Sequence, residues 1–182
     1  MQVNQTTLTV VRGSVLDQET DAIVNAANTK MRGGGGVDGA IHRAAGPELL
    51  EELKRVAPNG APTGTAVLTG GHRLKQPYII HTPGPVWHGG TRGEPELLAS
   101  CYRSCMEVAH KKGLESIAFC SISTGVYGYP IERAAPLALS TVRDFLQAHP
   151  DTSLRRVVFA MFGAEEYRVF TEALGTLEKE GA

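Results

Sequence analysis

The residues with the clearest chemical potential lie in two loops, each of which follows an apolar, strand-like run. The first loop holds four consecutive glycines, Gly33 to Gly36, directly before an apolar segment with helical spacing that starts at Val37. Four glycines in an ordered loop are entropically costly, but they let backbone N–H groups approach an anion, and a helix N-terminus adds its positive dipole end. A flexible linker is the alternative, which the position between a buried strand and a helix disfavours. The pattern therefore predicts an anion-binding loop.

The second loop combines hydroxyl groups with two spaced glycines before another helix. It runs from Ser121 to Gly128 and contains Ser123, Thr124, Gly125, Val126 and Tyr127. Two anion-binding loops at neighbouring strand ends suit a diphosphate held between them, and the ring of Tyr127 could cover a sugar. Taken alone, a loop that uses its glycines for turns and buries Tyr127 explains the composition equally well.

Polar side chains are predicted beside the glycine run. Asn25 and Asn28 follow a buried strand, where an amide must be paired, and Asp38 lies in the first turn of the next helix, where a carboxylate is favoured. Both amides could instead tie down the loop backbone, and Asp38 could be an ordinary helix-start acid. His42, four residues after Asp38, is expected to make a structural hydrogen bond, and His81 to be a satisfied core histidine.

Several familiar sites are missing from the sequence. The glycines lack the Lys-Ser or Lys-Thr pair of a Walker A loop, and they are not placed as in a dinucleotide fingerprint. No serine lies in a G-x-S-x-G elbow, and the six histidines show no metal-ligand spacing. We therefore expect no metal, no cofactor and no ordinary serine hydrolase.

The chain as a whole alternates apolar, β-rich runs with helical patterns. The predicted strands cover residues 8–11, 22–24, 65–68, 78–81, 117–122 and 157–161, and the predicted helices cover 37–45, 48–56, 96–112, 130–145 and 165–177. This alternation predicts an α/β sandwich with a largely parallel central sheet. Without a repeat or a long linker, residues 1–182 are predicted to form a single domain.

Charge and cysteine usage narrow the class of protein. With 18 Lys and Arg against 19 Asp and Glu, the net charge is −1, which argues against a protein that clamps long nucleic acids. Cys101 and Cys105 share a helical stripe with Leu97 and Val108, so we predict that they are small core hydrophobes. Three cysteines without a framework, and no predicted signal peptide or membrane span, favour a cytoplasmic chain without a membrane partner.

The two loops resemble the signatures of MacroD-type macrodomains. Ile23-Val24-Asn25-Ala26-Ala27-Asn28, followed by residues 33–46, resembles the first signature, and residues 122–130 resemble the second. His81-Thr82-Pro83-Gly84-Pro85-Val86-Trp87 is similar to a third motif, and the resemblance extends from about Leu8 to about Leu177. It implies a three-layer α/β/α sandwich with a mixed, largely parallel sheet of about six strands, and ADP-ribose as the ligand.

The resemblance also implies a role for each matching residue. Asn28 and Asp38, ten residues apart, match the pair to which the family's catalysis is assigned. Asn25 matches a contact to the distal ribose, and Phe162 falls where the family places an aromatic ring on adenine. The residues that match the diphosphate and distal-ribose loops are Gly33, Gly34, Gly35, Gly36, Val37, Ser123, Thr124, Gly125, Val126 and Tyr127.

One departure affects the adenine side. The family usually has Gly-Asp-Ile after the first strand, and that Asp binds the adenine amino group, whereas this chain has Gly13-Ser14-Val15. Ser14 is uncharged and cannot supply a charge-assisted contact, so adenine recognition is expected to be weaker, water-mediated, or shared with Val15 and nearby backbone. Asp21 is the nearest substitute acid, but we expect it to pack at the start of the second strand.

The activity implied by the resemblance is hydrolysis of an ester at the distal ribose. The expected substrates are proteins with mono-ADP-ribosylated Asp or Glu side chains, together with O-acetyl-ADP-ribose, and modified nucleic acid ends stay open as substrates. The alternatives are a non-catalytic ADP-ribose reader and a phosphatase acting on ADP-ribose phosphate. The Asn28 and Asp38 pair favours the hydrolase, because a reader does not need it.

Overall fold

A computed structural model, which describes residues 1–181, gives the chain seven strands and five helices. The strands are β1 (Gln2–Val3), β2 (Thr6–Arg12), β3 (Ala22–Ala27), β4 (Val67–Gly70), β5 (Tyr78–Pro83), β6 (Ser116–Phe119) and β7 (Arg156–Met161). The helices are α1 (Gly36–Ala45), α2 (Glu48–Val56), α3 (Glu94–Lys112), α4 (Ile131–Ala148) and α5 (Ala164–Glu180), and a 3₁₀ turn covers Val15–Asp17. Ala182, the last residue of the predicted domain, lies outside the described residues.

The strands form one mixed sheet in the order β1-β2-β7-β6-β3-β5-β4. The five inner strands run parallel, whereas β1 pairs with β2 and β4 pairs with β5 in antiparallel fashion. The predicted mixed, largely parallel sheet is therefore confirmed, with seven strands instead of about six. The additional strand β1 has two residues, too few to show any hydrophobic period.

The helices cover both faces of the sheet. The connection from β3 to β5 runs along the sheet in the opposite direction to those from β5 to β6 and from β6 to β7. Because such crossovers are right-handed, α1 and α2 lie on the face opposite to α3 and α4. The α5 helix contacts α4 and joins its layer. This is the predicted three-layer α/β/α arrangement.

The core is built around the central strands. Ile117, Ala118 and Phe119 of β6 are fully buried, as expected for a strand covered on both faces. Phe119 stacks on Phe159 of β7 with ring centroids 5.1 Å apart. Burial of this apolar surface supplies most of the driving force that fixes the strand ends in place.

Cys101 and Cys105 are fully buried, as predicted for core hydrophobes. Burial raises the pKa of both thiols. The stripe around them differs from the predicted one, because Leu97 and Val108 are only partly buried. The buried apolar face of α3 is instead completed by Leu98, Tyr102, Met106 and Ala109.

Two element boundaries bear on the site. The strand predicted over residues 117–122 ends at Phe119, and β3 extends to Ala27, three residues further than predicted. Asn25 therefore lies within a strand, where parallel pairing places it opposite His81 of β5.

Candidate functional site

A cleft of about 620 Å³ lies over the carboxyl ends of the five parallel strands. Strands lie roughly 4.8 Å apart, so the ends of β2 and β3, three strand spacings apart in the sheet, are separated by about 14 Å. The residues that line the cleft are Ser14, Val15, Ala26, Ala27, Asn28, Gly34, Gly35, Gly36, Val37, Asp38, Ala40, Gly84, Cys120, Ser121, Ser123, Thr124, Gly125, Val126, Tyr127, Ala160, Phe162 and Glu166. The two predicted loops therefore meet in one cleft.

The N-terminus of α1 opens into this cleft. Gly35 is the N-cap, and no side chain caps the helix. The N–H groups of Gly36, Val37 and Asp38 have no acceptor within the helix, because the first turn of a helix leaves its donors unpaired. Gly36 has a φ of +57°, and a Cβ added at Gly35 or Gly36 would meet no atom within 4 Å. Space and free donors together give this end of α1 the properties that an anion site needs.

The loop after β6 forms the facing wall. Ser123 has a φ of +68°, and its carbonyl accepts a hydrogen bond of 3.0 Å from the Tyr129 N–H. The Gly128 N–H donates to the Gly125 carbonyl at 3.0 Å. The buried Ser123 hydroxyl has no partner within the described chain. The loop thus closes on itself and leaves the Ser123 hydroxyl unpaired and packed against Gly84.

A loop between β5 and α3 fastens this wall. The Trp87 N–H donates to the Tyr127 carbonyl at 2.9 Å, and the Trp87 ring packs on Tyr129 with centroids 4.6 Å apart. The Glu94 side chain, which is 1% exposed, accepts hydrogen bonds from the backbone N–H groups of His88, Gly90 and Arg92. Glu94 was not predicted as a site residue, because the predicted helix begins two residues later and the burial of Glu94 is visible only in the structure.

The hydrogen bonds at Glu94 have a clear electrostatic consequence. Burial raises the pKa of its carboxyl group, but the backbone N–H donors outweigh that effect and lower the pKa to about 2. The carboxylate is therefore charged at neutral pH and holds its loop through charge-assisted hydrogen bonds.

Asn28 and Asp38 both line the cleft beside Gly34. Asp38 Oδ2 lies 3.2 Å, and Asn28 Nδ2 3.3 Å, from the point where a Cβ on Gly34 would stand. Asn28 also ties down its own loop, since Nδ2 donates to the Gly33 carbonyl and Oδ1 accepts from the N–H groups of Lys30 and Met31. An amide carries two N–H donors, so one of them stays free beside Asp38.

Two residues predicted to contact the ligand do not line the cleft. Asn25 is 0% exposed, and Gly33 is absent from the cleft lining. Asn25 donates to Asp38 Oδ1 at 2.7 Å, so it supports the carboxylate instead of facing a sugar. Gly33 turns its carbonyl towards Asn28. The burial of Asn25 is at odds with the expected contact to the distal ribose, whereas the expected ligand contact of Gly33 stays a prediction.

Two histidines lie near Asp38. His42 Nε2 is 3.4 Å from Asp38 Oδ1 but makes no hydrogen bond within the described residues, so the expected structural hydrogen bond is not formed. His81 contacts Asn25 Nδ2 at 3.0 Å and the Thr69 hydroxyl at 2.9 Å, which confirms the expected satisfied core histidine. Burial lowers the pKa of His81 to about 3, with His42 lowering and Asp38 raising it.

The far end of the cleft holds Ser14, Val15 and Phe162. The Gly13 N–H donates to the Met161 carbonyl at 2.9 Å, which places the segments after β2 and β7 side by side. The Ser14 hydroxyl accepts from the Leu16 N–H and caps the 3₁₀ turn. Phe162 is 78% exposed. The exposed Phe162 ring therefore forms an apolar side of the cleft next to the capped 3₁₀ turn.

Glu166 of α5 lines the same end, and the sequence analysis missed it. Its Oε1 lies 3.3 Å from the point where a Cβ on Gly163 would stand. Burial raises the pKa of its carboxyl group, and Glu165 raises it further. Asp21 does not serve this end, because Oδ2 accepts from the backbone N–H groups of Glu115 and Ser116.

The lining contains two acids and no Lys, Arg or His within the described residues. An anion in this cleft would therefore be held by backbone N–H groups and hydroxyls. Cys120 lies on the floor, where burial raises the pKa of its thiol to about 12, so it stays neutral.

Comparison with known proteins agrees with this geometry. A family model described as "Macro domain" matches residues 24–138. A macro domain-containing protein of Caldanaerobacter subterraneus is 49% identical over 172 residues, which is 93% of this chain and 97% of that protein. The chain belongs to the macro domain family.

Solved structures of other macrodomains superpose on this one over most of its length. The Oceanobacillus iheyensis macrodomain with ADP is 44% identical, with a TM-score of 0.91, and the match covers 99% of this chain and 96% of that one. The Trypanosoma brucei macrodomain in complex with ADP-ribose is 48% identical, with a TM-score of 0.86, and the match covers 92% of this chain and 69% of that one.

Within residues 1–181, no group of three or more His, Cys, Asp or Glu side chains is arranged to hold a metal ion. No helix in the described part of the chain is long and apolar enough to span a membrane.

Proposed function

We propose that this macrodomain binds ADP-ribose in the cleft and hydrolyses the ester bond that joins ADP-ribose to acidic side chains. Relatives that match nearly the whole chain are solved with ADP and with ADP-ribose. The observation that carries the proposal is the pairing of Asp38 with Asn28 beside the open N-terminus of α1. A reader would need the anion site but not a carboxylate next to a free amide hydrogen.

The diphosphate is assigned to the space between the two loops. The free N–H groups at the N-terminus of α1 face that space, and they replace water around a doubly charged group without any basic side chain. Tyr127, at the mouth of the second loop, is assigned to the distal ribose. Fixing the diphosphate in this way sets the distance between the ester and Asp38.

Asp38 is assigned as the general base and Asn28 as its partner in holding water. Asp38 Oδ1 is occupied by Asn25, so Oδ2 is the oxygen left to accept a proton from water. The water oxygen bonds to the ester carbonyl carbon, the bond from that carbon to the ribose oxygen breaks, and the ribose oxygen takes up the proton that Asp38 removed from water. The products are ADP-ribose with a free hydroxyl and the free carboxylic acid. O-acetyl-ADP-ribose carries an ester at the same sugar and reacts by the same step to give acetate.

The adenine is assigned to the end lined by Ser14, Val15 and Phe162. The Ser14 hydroxyl accepts from the Leu16 N–H and carries no charge, and Glu166 is the carboxylate that lines this end, so Glu166 is assigned to accept a hydrogen bond from the adenine amino group. The exposed Phe162 ring provides a stacking face.

Replacing Asp38 with alanine tests the assignment of the base. Release of ADP-ribose from a protein modified on Glu should fall by about 10²-fold or more, the scale of a lost general base, while affinity for ADP-ribose should fall less. Asp151→Ala, at an exposed position, is the matched control and should behave like the unmodified enzyme.

Other outcomes separate the proposal from its rivals. Tight ADP-ribose binding with no ester cleavage by the unmodified protein would identify a reader. Phosphate release from ADP-ribose phosphate without ester cleavage would identify a phosphatase. Full activity of Asp38→Ala would remove Asp38 from the mechanism.

A further inference from the structure

A buried chain of hydrogen bonds connects strand β4 to the cleft. It runs from Thr69 of β4 through His81 of β5 and Asn25 of β3 to Asp38 of α1, with contacts of 2.9, 3.0 and 2.7 Å. Thr69, His81, Asn25 and Asp38 are 2%, 0%, 0% and 5% exposed. Parallel pairing of β3 with β5 places Asn25 directly opposite His81. The strand register therefore fixes the middle of this series of hydrogen bonds.

The direction of each hydrogen bond follows from the carboxylate at one end. Asp38 can only accept, so Asn25 Nδ2 donates to it. The second hydrogen on the same nitrogen is directed to His81 Nδ1, which must therefore accept, leaving the ring proton on Nε2. That proton is donated to the Thr69 hydroxyl, which in turn donates to the Gly70 carbonyl at 3.1 Å.

The side-chain oxygen of Asn25, Oδ1, shows how strongly the direction of these hydrogen bonds is fixed. It is buried without any partner in the described chain, an unfavourable state for a polar atom. Turning the amide around would place that oxygen against both Asp38 Oδ1 and His81 Nδ1. The amide therefore keeps its nitrogen on the two acceptors and leaves its oxygen unpaired.

We propose that Thr69 and His81 are positioning residues, which act through Asn25 to keep Asp38 Oδ1 engaged and Oδ2 turned to the cleft. The inference rests on the proposed role of Asp38. Thr69 selects the Nε2–H tautomer of His81 by accepting from it. The burial that lowers the pKa of His81 to about 3 keeps the ring neutral over the working pH range.

Loss of the Thr69 hydroxyl should disturb the whole series of hydrogen bonds from Thr69 to Asp38. Without it, His81 gains access to the Nδ1–H tautomer, which faces the Asn25 N–H. The amide then turns, and its oxygen meets the carboxylate and disfavours the ionised form of Asp38. The other titratable groups near Asp38 are His42 on the same helix and Cys120 after β6, and both are the same in every variant compared.

Thr69→Val and Thr69→Ser test the role in catalysis. Thr69→Val keeps the side-chain shape but removes the hydroxyl, so kcat for ester cleavage should fall about tenfold, KM should stay within about twofold, and the acid limb of the kcat–pH profile should move to higher pH. Thr69→Ser should keep both kcat and the acid limb. An unchanged acid limb in Thr69→Val would overturn the proposal.

The tautomer of His81 is tested without any activity. Long-range ¹H–¹⁵N spectra of the unmodified protein should show a neutral His81 ring with the proton on Nε2 at pH 5 and above, and Thr69→Val should gain the Nδ1–H form. A ring protonated on Nδ1 in the unmodified protein would overturn the proposal even if Thr69→Val failed to fold. Absence of any hydrolase activity together with the Nε2–H form would refute the proposed function but not the hydrogen-bond chain.

Discussion

Asn28 uses its carbonyl oxygen and one amide hydrogen within its own loop, and one hydrogen is left beside Asp38. Asn28 was predicted either to tie down its loop or to act in the site, and its hydrogen bonds are compatible with both roles at once. Ser14 differs, because its hydroxyl already accepts one hydrogen bond in capping the 3₁₀ turn and carries no charge. The chemistry of this cleft depends on which hydrogen-bonding groups stay free, and residue type alone does not reveal that.

Glu166 provides a sharp test at this scale. Its carboxylate should accept from the adenine amino group and should repel a purine with an oxygen at that position. Glu166→Ala should weaken ADP-ribose binding about tenfold, the range for a half-exposed hydrogen bond to a charged group. The hypoxanthine analogue of ADP-ribose should bind the unmodified protein more weakly than ADP-ribose does. Calorimetry with both ligands measures these differences.

Glu165→Ala is the matched control for Glu166, because Glu165 is its exposed neighbour on the same helix and does not line the cleft. This variant should retain the preference for adenine. If Glu166→Ala discriminates between the two bases as strongly as the unmodified protein does, Glu166 has no part in base recognition.

Asn25 shows why some residues could not be assigned from the sequence. Its position before a glycine loop suggested a ligand contact, but its role depends on a partner 56 positions away, His81, and on Asp38 in the next helix. Such contacts follow from strand order and register, which no spacing within a short segment encodes. Thr69 and Glu166 were missed for the same reason.

At the scale of elements, the sequence predicted the type of every helix and of six of the seven strands, because buried strands and amphipathic helices have different hydrophobic periods. Boundaries were less predictable. Ile122 is apolar and buried, so it extended the predicted strand, although β6 ends at Phe119 and the chain turns there into the loop. The apolar run continues past the strand because the base of the loop is also packed in the core.

Gly35 tests the function of the α1 N-terminus. Its φ of −100° suits any residue, and a Cβ there meets open space, so Gly35→Glu should fold while placing a carboxylate where the diphosphate is proposed to lie. Like charges in close contact cost several kcal/mol, so ADP-ribose affinity should fall by about 10²-fold or more. Calorimetry with ADP-ribose and with ADP provides the measurement.

Gly35→Ala separates charge from bulk at the same position. It adds only the Cβ and should bind ADP-ribose within a few-fold of the unmodified protein. Equal affinity in Gly35→Glu and Gly35→Ala would show that the diphosphate lies elsewhere, and the assignment of the first loop would then be wrong.

At the scale of the whole molecule, the cleft crosses the ends of five strands that are separated in sequence by up to about 150 residues, from Arg12 to Met161. Its walls therefore keep their spacing only while the sheet stays intact. Glu94 contributes both to the stability of the fold and to the shape of the cleft, because it holds the loop that carries Trp87 against Tyr127. Loss of its charge should weaken both the fold and the second wall of the cleft.

Glu94→Gln should lower the free energy of unfolding in a pH-dependent way. The pKa of Glu94 is about 2 in the folded chain, below its usual value of 4.5. A depressed pKa stabilises the fold above the unfolded value, and that contribution is lost as the pH falls through the folded value. The stability difference between the unmodified protein and Glu94→Gln should be constant above about pH 5 and should shrink between about pH 4.5 and pH 2. Urea unfolding followed by Trp87 fluorescence measures it.

Glu107→Gln distinguishes a specific effect of Glu94 from a general effect of acids on α3. Glu107 is exposed on the same helix, so its replacement should change the free energy of unfolding by no more than about 0.5 kcal/mol at any pH. The other carboxyl groups are the same in the proteins compared, so their contributions cancel in the difference between the free energies of unfolding. A stability gap for Glu94→Gln that stays constant down to pH 2 would mean that the charge of Glu94 does not hold the loop beneath Trp87, and the assignment would be wrong.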